Sequence, residues 1–165
     1  MQHVPREPLP VEKPARYAQL LREVIALCEG ERDFIANAAN TAAVLFHGLP
    51  ELNWAGFYLL KGADLVLGPF QGQVACVRIS PGCGVCGAAA AARKTLVVPD
   101  VHQFPGHIAC DSASNAEIVI PLLHGGHLIG VLDLDSPQFA RFDAEDAAGL
   151  EAIAAALIAA SDVGG

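Results

Sequence analysis

From Tyr17 the apolar residues recur at helical spacing through Leu20, Leu21, Val24, Ile25 and Cys28, and Glu29-Gly30 closes the run. A second helical pattern starts at about Asp33, carries Phe34, Ile35, Ala38, Ala39, Ala42 and Leu45 on one side, and stops at His47-Gly48-Leu49-Pro50. The period then changes. Asn53 to Leu60 and Leu65 to Phe70, joined at Lys61-Gly62-Ala63-Asp64, read as a hairpin, and Val74 to Ile79 reads as a third strand. Ser80-Pro81-Gly82-Cys83-Gly84-Val85-Cys86-Gly87 opens an alanine-rich helix over Ala88 to Arg93, and Leu96-Val97-Val98 is a short strand. An irregular stretch from Pro99 to Asn115 follows, in which Phe104, Ile108 and Cys110 favour order over disorder. Strands Ile118 to Leu123 and Leu128 to Asp135 flank a turn at His124-Gly125-Gly126-His127, and Phe142-Asp143-Ala144-Glu145-Asp146 begins a last helix running to about Ala160. This order predicts an α+β domain: a mainly antiparallel sheet of about six strands, flanked by N-terminal and C-terminal helices.

Composition narrows the class. The 165 residues are 53% hydrophobic and 17% charged, enough for one domain with a substantial core. A formal net charge of -8 without a Lys/Arg cluster argues against nucleic acid and anionic membrane surfaces as partners. No signal segment and no run able to span a bilayer is apparent, so a cytoplasmic location is expected. Residues 1–14 hold four prolines and no periodicity, the pattern of a flexible arm. Five cysteines, four of them between positions 76 and 110, do not suit a structural disulfide framework in such a compartment, so metal binding and redox chemistry come into view.

The chemistry concentrates in Gly106 to Glu117, where Cys110 sits beside Asp111 and near His107 in a polar segment at a strand entrance. A lone cysteine is more often an inert core thiol, but this setting suits one kept for reactivity. Cys83-Gly84-Val85-Cys86 stands at a helix start, where open N–H groups favour a thiolate. It matches a thioredoxin-type site weakly, because no βαβ pattern surrounds it, and zinc would need two further ligands from Cys110, His107 or Cys76. Asp133 and Asp135 share one strand face. A strict two-residue turn at Gly125-Gly126 pairs Glu117 with Leu134 and puts Glu117 on the other face, whereas a bulge, helped by Pro121, or a different loop length unites all three acids. Trp54 at a strand start reads as core or as the wall of an apolar pocket. A thiol, carboxylates and an aromatic wall suit a small polar ligand with an apolar tail.

Asn53-Trp54-Ala55-Gly56-Phe57-Tyr58, Leu67-Gly68-Pro69-Phe70-Gln71-Gly72, Ala75-Cys76, Gly84-Val85-Cys86-Gly87, Asp100-Val101, the Gly106 to Glu117 stretch and Gly130-Val131-Leu132-Asp133-Leu134-Asp135-Ser136 resemble the free methionine-(R)-sulfoxide reductases, which are single GAF domains. The match covers about residues 17–160 and implies a GAF domain over 15–162. It implies redox roles for Cys76, Cys86 and Cys110, and a substrate pocket containing Trp54, Glu117, Asp133 and Asp135; Cys83 departs from the pattern. The implied activity is thiol-dependent reduction of free L-methionine-(R)-S-oxide, with no cofactor and no metal. A cysteine sulfenic acid and an intramolecular disulfide are its intermediates, thioredoxin is the reductant and a homodimer the assembly. Cys110 is assigned as nucleophile. Cys86 and Cys76 both stay open as the resolving cysteine, with the helix-start position favouring Cys86. Two other readings are a non-catalytic GAF small-molecule-binding module and a cysteine switch.

Overall fold

The computed structural model describes residues 7–107 and 110–164. Ile108, one of the residues expected to order the long loop, lies outside this range, as does the start of the N-terminal arm. Helices α1 (Lys13–Leu27) and α2 (Phe34–Gly48) are followed by strands β1 (Trp54–Lys61), β2 (Asp64–Gly72) and β3 (Arg78–Ile79). Then come α3 (Gly84–Ala92), β4 (Leu96–Val98), β5 (Ala116–His124), β6 (His127–Ser136) and α4 (Ala144–Ala160). The strands form one sheet in the order β3-β2-β1-β6-β5-β4, every neighbouring pair antiparallel.

Alternation along the central strands gives the sheet two different faces. Ala55, Phe57, Ile118, Ile120, Leu132 and Leu134 point to one side and form the main core with Leu20, Leu45, Leu150, Ile153 and Leu157 of α1, α2 and α4. Trp54, Tyr58, Val119 and Val131 point to the other, where Val85, Cys86 and Ala89 of α3 close a smaller core. That second face is covered incompletely, and it holds every acidic side chain of the sheet interior.

The third strand is shorter than expected. Ladder pairing covers only Arg78–Ile79, not Val74 to Ile79. The segment before it is held by other bonds: the Cys76 carbonyl accepts from the Tyr58 hydroxyl at 2.9 Å, and Cys76 is disulfide-bonded to Cys110. Helix α3 also begins earlier than its alanine run, with Cys83 as N-cap, because the Gly87 N–H already reaches the Cys83 carbonyl. The last helix carries the expected acidic start: Asp143 caps the N–H groups of Glu145 and Asp146 while the Asp146 carboxylate accepts from the Asp143 N–H.

Asp146 does more than cap. Fully buried, it accepts from the Tyr17 hydroxyl at 2.8 Å, from Lys13 Nζ at 2.6 Å and from Arg141 Nη1 at 3.3 Å, joining α1 to α4. Gly149 permits the approach, since a Cβ there would lie 2.2 Å from the Tyr17 ring. No helix among the described residues is long and apolar enough to cross a membrane. Asp146→Ala leaves the buried Arg141 guanidinium without its main partner, and a broken buried pair costs about 3 kcal/mol or more. The urea midpoint should fall accordingly at unchanged m-value, and a loss well under about 1 kcal/mol would assign the network no stabilising role.

Candidate active site

The acidic face of the sheet is produced by register. In the β5–β6 hairpin His124 pairs with His127 across Gly125-Gly126, but Leu122 pairs with Gly130 and Leu123 with Leu128, leaving Ile129 as an extra residue on β6. This one-residue bulge shifts the remaining ladder so that Glu117 lies opposite Asp135, not Leu134. Glu117, Asp133 and Asp135 therefore share a face, by a bulge next to the turn with Pro121 still regularly paired to Val131. On the other side of β6, Trp54 pairs with Asp135 and Gly56 with Asp133, so Trp54 and Tyr58 stand on that face too.

Trp54 is sandwiched, stacked on Phe70 at 5.3 Å and on Tyr58 at 5.9 Å, and its Nε1 donates to the Gln73 carbonyl at 3.1 Å. Gly56 makes the stack possible: a Cβ there would sit 2.3 Å from the Phe70 Cβ and 2.8 Å from the Trp54 ring. The start of α3 borders a cavity through Cys83, Gly84, Val85 and Cys86, and its N-cap, Cys83, supplies no side-chain acceptor to the first-turn N–H groups.

The cavity, of about 40 Å³, also touches Trp54, Tyr58, Cys110, Glu117, Asp133 and Asp135, and among the described residues no Lys or Arg lines it. Its mouth is the Cys76–Cys110 disulfide, with Cα atoms 5.7 Å apart. Cys110 is exposed at the end of a loop fixed by Asn53, whose Nδ2 donates to Asp111 Oδ2 at 2.9 Å and to Ser114 Oγ at 3.0 Å. Cys86, favoured from its helix-start position as the partner of Cys110, is instead a free thiol buried at the cavity floor. It donates to Glu117 Oε1 at 3.8 Å. The helix that would make it reactive buries it against β5 and β6, out of the loop that carries Cys110. Cys83 is free and exposed.

Crowding three acids and a thiol into a dry space opposes ionisation of each. Burial, then Asp133 and Asp135, hold the Glu117 carboxyl well above the usual range. Burial, then Asp133 and Asp111, do the same to Asp135. Asp133 is pushed by burial up to about 6, its rise moderated by hydrogen bonds from Glu117 and Cys86, which makes it the acid of the three that ionises first. Burial and the neighbouring acids also push the Cys86 thiol up. His107 Nε2 approaches Glu117 Oε2 at 3.9 Å, yet burial lowers the His107 pKa. A protonated Glu117 reconciles the two: the contact joins neutral groups and is no ion pair. Asp133, which lines the cavity, has its Oδ1 buried without a hydrogen-bond partner.

Of the residues singled out from sequence, Trp54, Cys110, Glu117, Asp133 and Asp135 line this cavity with Cys86, while Cys76 closes it through its bond to Cys110. Tyr58 was passed over as a site residue. Its separation of four from Trp54 along one strand puts both on the same face, which alternation alone reveals. Asn53 was also missed, and no local pattern marks a side chain that acts by holding a distant loop.

A GAF-domain family model matches residues 15–160. The free methionine-R-sulfoxide reductase of Escherichia coli is 55% identical over 141 residues, 86% of this chain and 86% of that protein. That of Saccharomyces cerevisiae is 42% identical over 144 residues, 82% of this chain and 80% of that one. The X-ray structure of free methionine-R-sulfoxide reductase from Neisseria meningitidis in complex with its substrate is 45% identical, covers 96% of this chain and 95% of its own, and superposes with a TM-score of 0.92. Such agreement across almost the full length of each relative leaves no room for a likeness of fold alone, and the chain belongs to the GAF-domain family as one of its free methionine-R-sulfoxide reductases.

Proposed function

We propose that the protein reduces free L-methionine-(R)-S-oxide to methionine, with Cys110 as nucleophile and Cys76 as resolving cysteine. The observation that carries this reading is the Cys76–Cys110 bond at the mouth of a cavity floored by carboxylates with an unpartnered acceptor. In the reduced enzyme the Cys110 thiolate attacks the sulfoxide sulfur and a proton from the enzyme goes to the sulfoxide oxygen. The S–O bond breaks as its hydroxyl passes to the Cys110 sulfur and the transient S–S bond cleaves, so methionine leaves with its sulfur reduced by two electrons and Cys110, oxidised by two, is left as a sulfenic acid. The Cys76 thiol then attacks that sulfur, water departs, and the disulfide forms. A dithiol of the thioredoxin type restores both thiols by exchange; the exposure of Cys110, and of Val74 and Val77 beside Cys76, supports access by a protein reductant.

The acids divide the remaining work. Glu117 and Asp135, held protonated, are donors for the sulfoxide oxygen. Asp133, ionised above about 6, pairs its open oxygen with the substrate ammonium. The N–H groups at the start of α3 donate to the α-carboxylate, and Trp54 with Tyr58 packs the thioether end. Exposed apolar residues at Val11 and Ile25 support a homodimer, and three free thiols a cytoplasmic setting. A cavity of about 40 Å³ holds water more readily than an amino acid, so substrate binds after the disulfide is opened.

The cysteine order is tested in a single turnover. Cys110→Ser should release no methionine, whereas Cys76→Ser should release about one equivalent per site and then stall, since attack precedes disulfide formation. Normal turnover of Cys76→Ser with thioredoxin, alongside a stalled Cys86→Ser, would transfer the resolving role to Cys86.

The charge pairing is tested with N-acetylmethionine sulfoxide, which lacks the ammonium. Leaving a buried carboxylate unpaired costs about 1.5 to 3 kcal/mol, so kcat/KM for the free amino acid should exceed that for the acetylated one by at least about tenfold.

The same carboxylate sets a pH limb. Asp133 is ionised above its folded pKa, so kcat/KM for free substrate should rise with pH through about 6 and be lost below it. Asp133→Asn and the acetylated substrate should both lack that limb; finding it unchanged in either would remove Asp133 from ammonium recognition.

A further inference from the structure

The proposed cycle leaves Cys86 without a task, although it is the most deeply placed thiol of the site. Its Sγ and one oxygen each from Glu117 and Asp133 all lie within 4.8 Å of one another, all three residues buried. They come from three elements, α3, β5 and β6, so the cluster is fixed by tertiary structure and not by one flexible segment.

We propose that Cys86, Glu117 and Asp133 form a binding site for a single zinc ion on the cavity floor, and that zinc there excludes free methionine sulfoxide. The geometry is close to what the ion demands. With Zn–S of about 2.3 Å and Zn–O of about 2.0 Å, a tetrahedral site separates sulfur from oxygen by roughly 3.5 Å, and Cys86 Sγ lies 3.8 Å from Glu117 Oε1. A second, independent observation points the same way. Asp133 Oδ1 is buried and has no partner, the residue being 5% exposed, and among the described residues no Lys or Arg lines the cavity to supply a positive charge. One thiolate and two carboxylates suit a borderline cation such as zinc, while magnesium and calcium require oxygen throughout. The fourth position falls to water or to His107, whose Nε2 is 3.9 Å from Glu117 Oε2.

Binding displaces the proton of the Cys86 thiol, and that of any protonated carboxyl, to solvent, with no change of oxidation state. It does not involve the Cys76–Cys110 bond, so the oxidised enzyme binds zinc as described. The exclusion of substrate rests on the reductase reading; the binding does not. Zinc and substrate compete for the same carboxylate, Asp133, which makes the ion a reversible inhibitor that reads free zinc.

The test uses oxidised, chelator-dialysed protein, in which Cys76 and Cys110 cannot ligate. Cobalt(II) should give a thiolate-to-metal charge-transfer band that one equivalent of zinc per chain abolishes and magnesium leaves unchanged. Cys83→Ser, which removes the exposed thiol, should keep the band, and Cys86→Ser should lose it. By competition with a chromophoric chelator, zinc affinity should fall at least about 100-fold in Cys86→Ser and at least about tenfold in Asp133→Asn, beyond what loss of an outer-shell partner costs. Asp133→Asn carries the test alone if Cys86→Ser fails to fold. Absence of the band, its survival in Cys86→Ser or its loss in Cys83→Ser overturns the site. In single turnovers of pre-reduced enzyme, freed of added dithiol, zinc should raise the substrate concentration needed for half-maximal rate and leave the maximal rate unchanged. Binding without that effect overturns the exclusion, whereas a lack of all reductase activity with zinc binding intact tells against the reductase reading alone.

Discussion

The structure turns on keeping three carboxyl groups on one dry face of a sheet with no cation among them. Each would ionise in water; burial opposes this in all three, and the neighbouring acids add to it for Glu117 and Asp135, whereas hydrogen bonds from Glu117 and Cys86 let Asp133 ionise first. A fold stabilised only for its own sake would not place Glu117, Asp133 and Asp135 together. Their joint burial is a standing cost, met by the larger core on the opposite face, where Phe57, Ile118, Ile120, Leu132 and Leu134 alternate with the very residues that line the cavity. Site and core are thus two sides of the same strands, and stability made on one side sustains reactivity on the other.

The disulfide is positioned by the same economy of parts. Cys76 and Cys110 belong to irregular segments, the first tethered to β1 by the Tyr58 hydroxyl on its carbonyl, the second to the residue just before β1, Asn53, which holds Asp111 and Ser114. Loops carry the exchangeable bond, while strands carry the acids that must not move. The proposed opening and closing of this thiol pair fits such a division, because strands in a six-stranded ladder cannot shift without disturbing their neighbours.

Much of this was legible in the chain. Helical periodicity located α1 and α2, the acidic start located α4, and alternation placed Asp133 with Asp135. The GAF fold and the reductase family followed from the cysteine-bearing blocks and are supported by relatives across nearly their whole length. What stayed hidden was long-range. Nothing near Cys76 announces that it meets Cys110 across 34 positions, and Cys86 has the better local credentials as a reactive thiol. Burial reverses those credentials by pushing its thiol up, an effect of β5 and β6 that no stretch around Cys86 encodes. The late start of β3 has the same origin, since Val74 to Ile79 reads as strand until the Cys76 carbonyl is given to Tyr58.

The extra residue at Ile129 has a consequence for descent as well as for chemistry. It sets the parity of the hairpin, odd in place of even, and parity cannot drift by small steps. Point substitutions along β5 and β6 adjust the cavity gradually, but a single insertion or deletion between Glu117 and Asp133 would send one acid into the apolar core and bring a leucine-class side chain out to replace it. Length change in this hairpin is therefore admissible only in compensated pairs, and its loop tip, open to variation in most antiparallel sheets, is here under the same constraint as the residues that line the cavity.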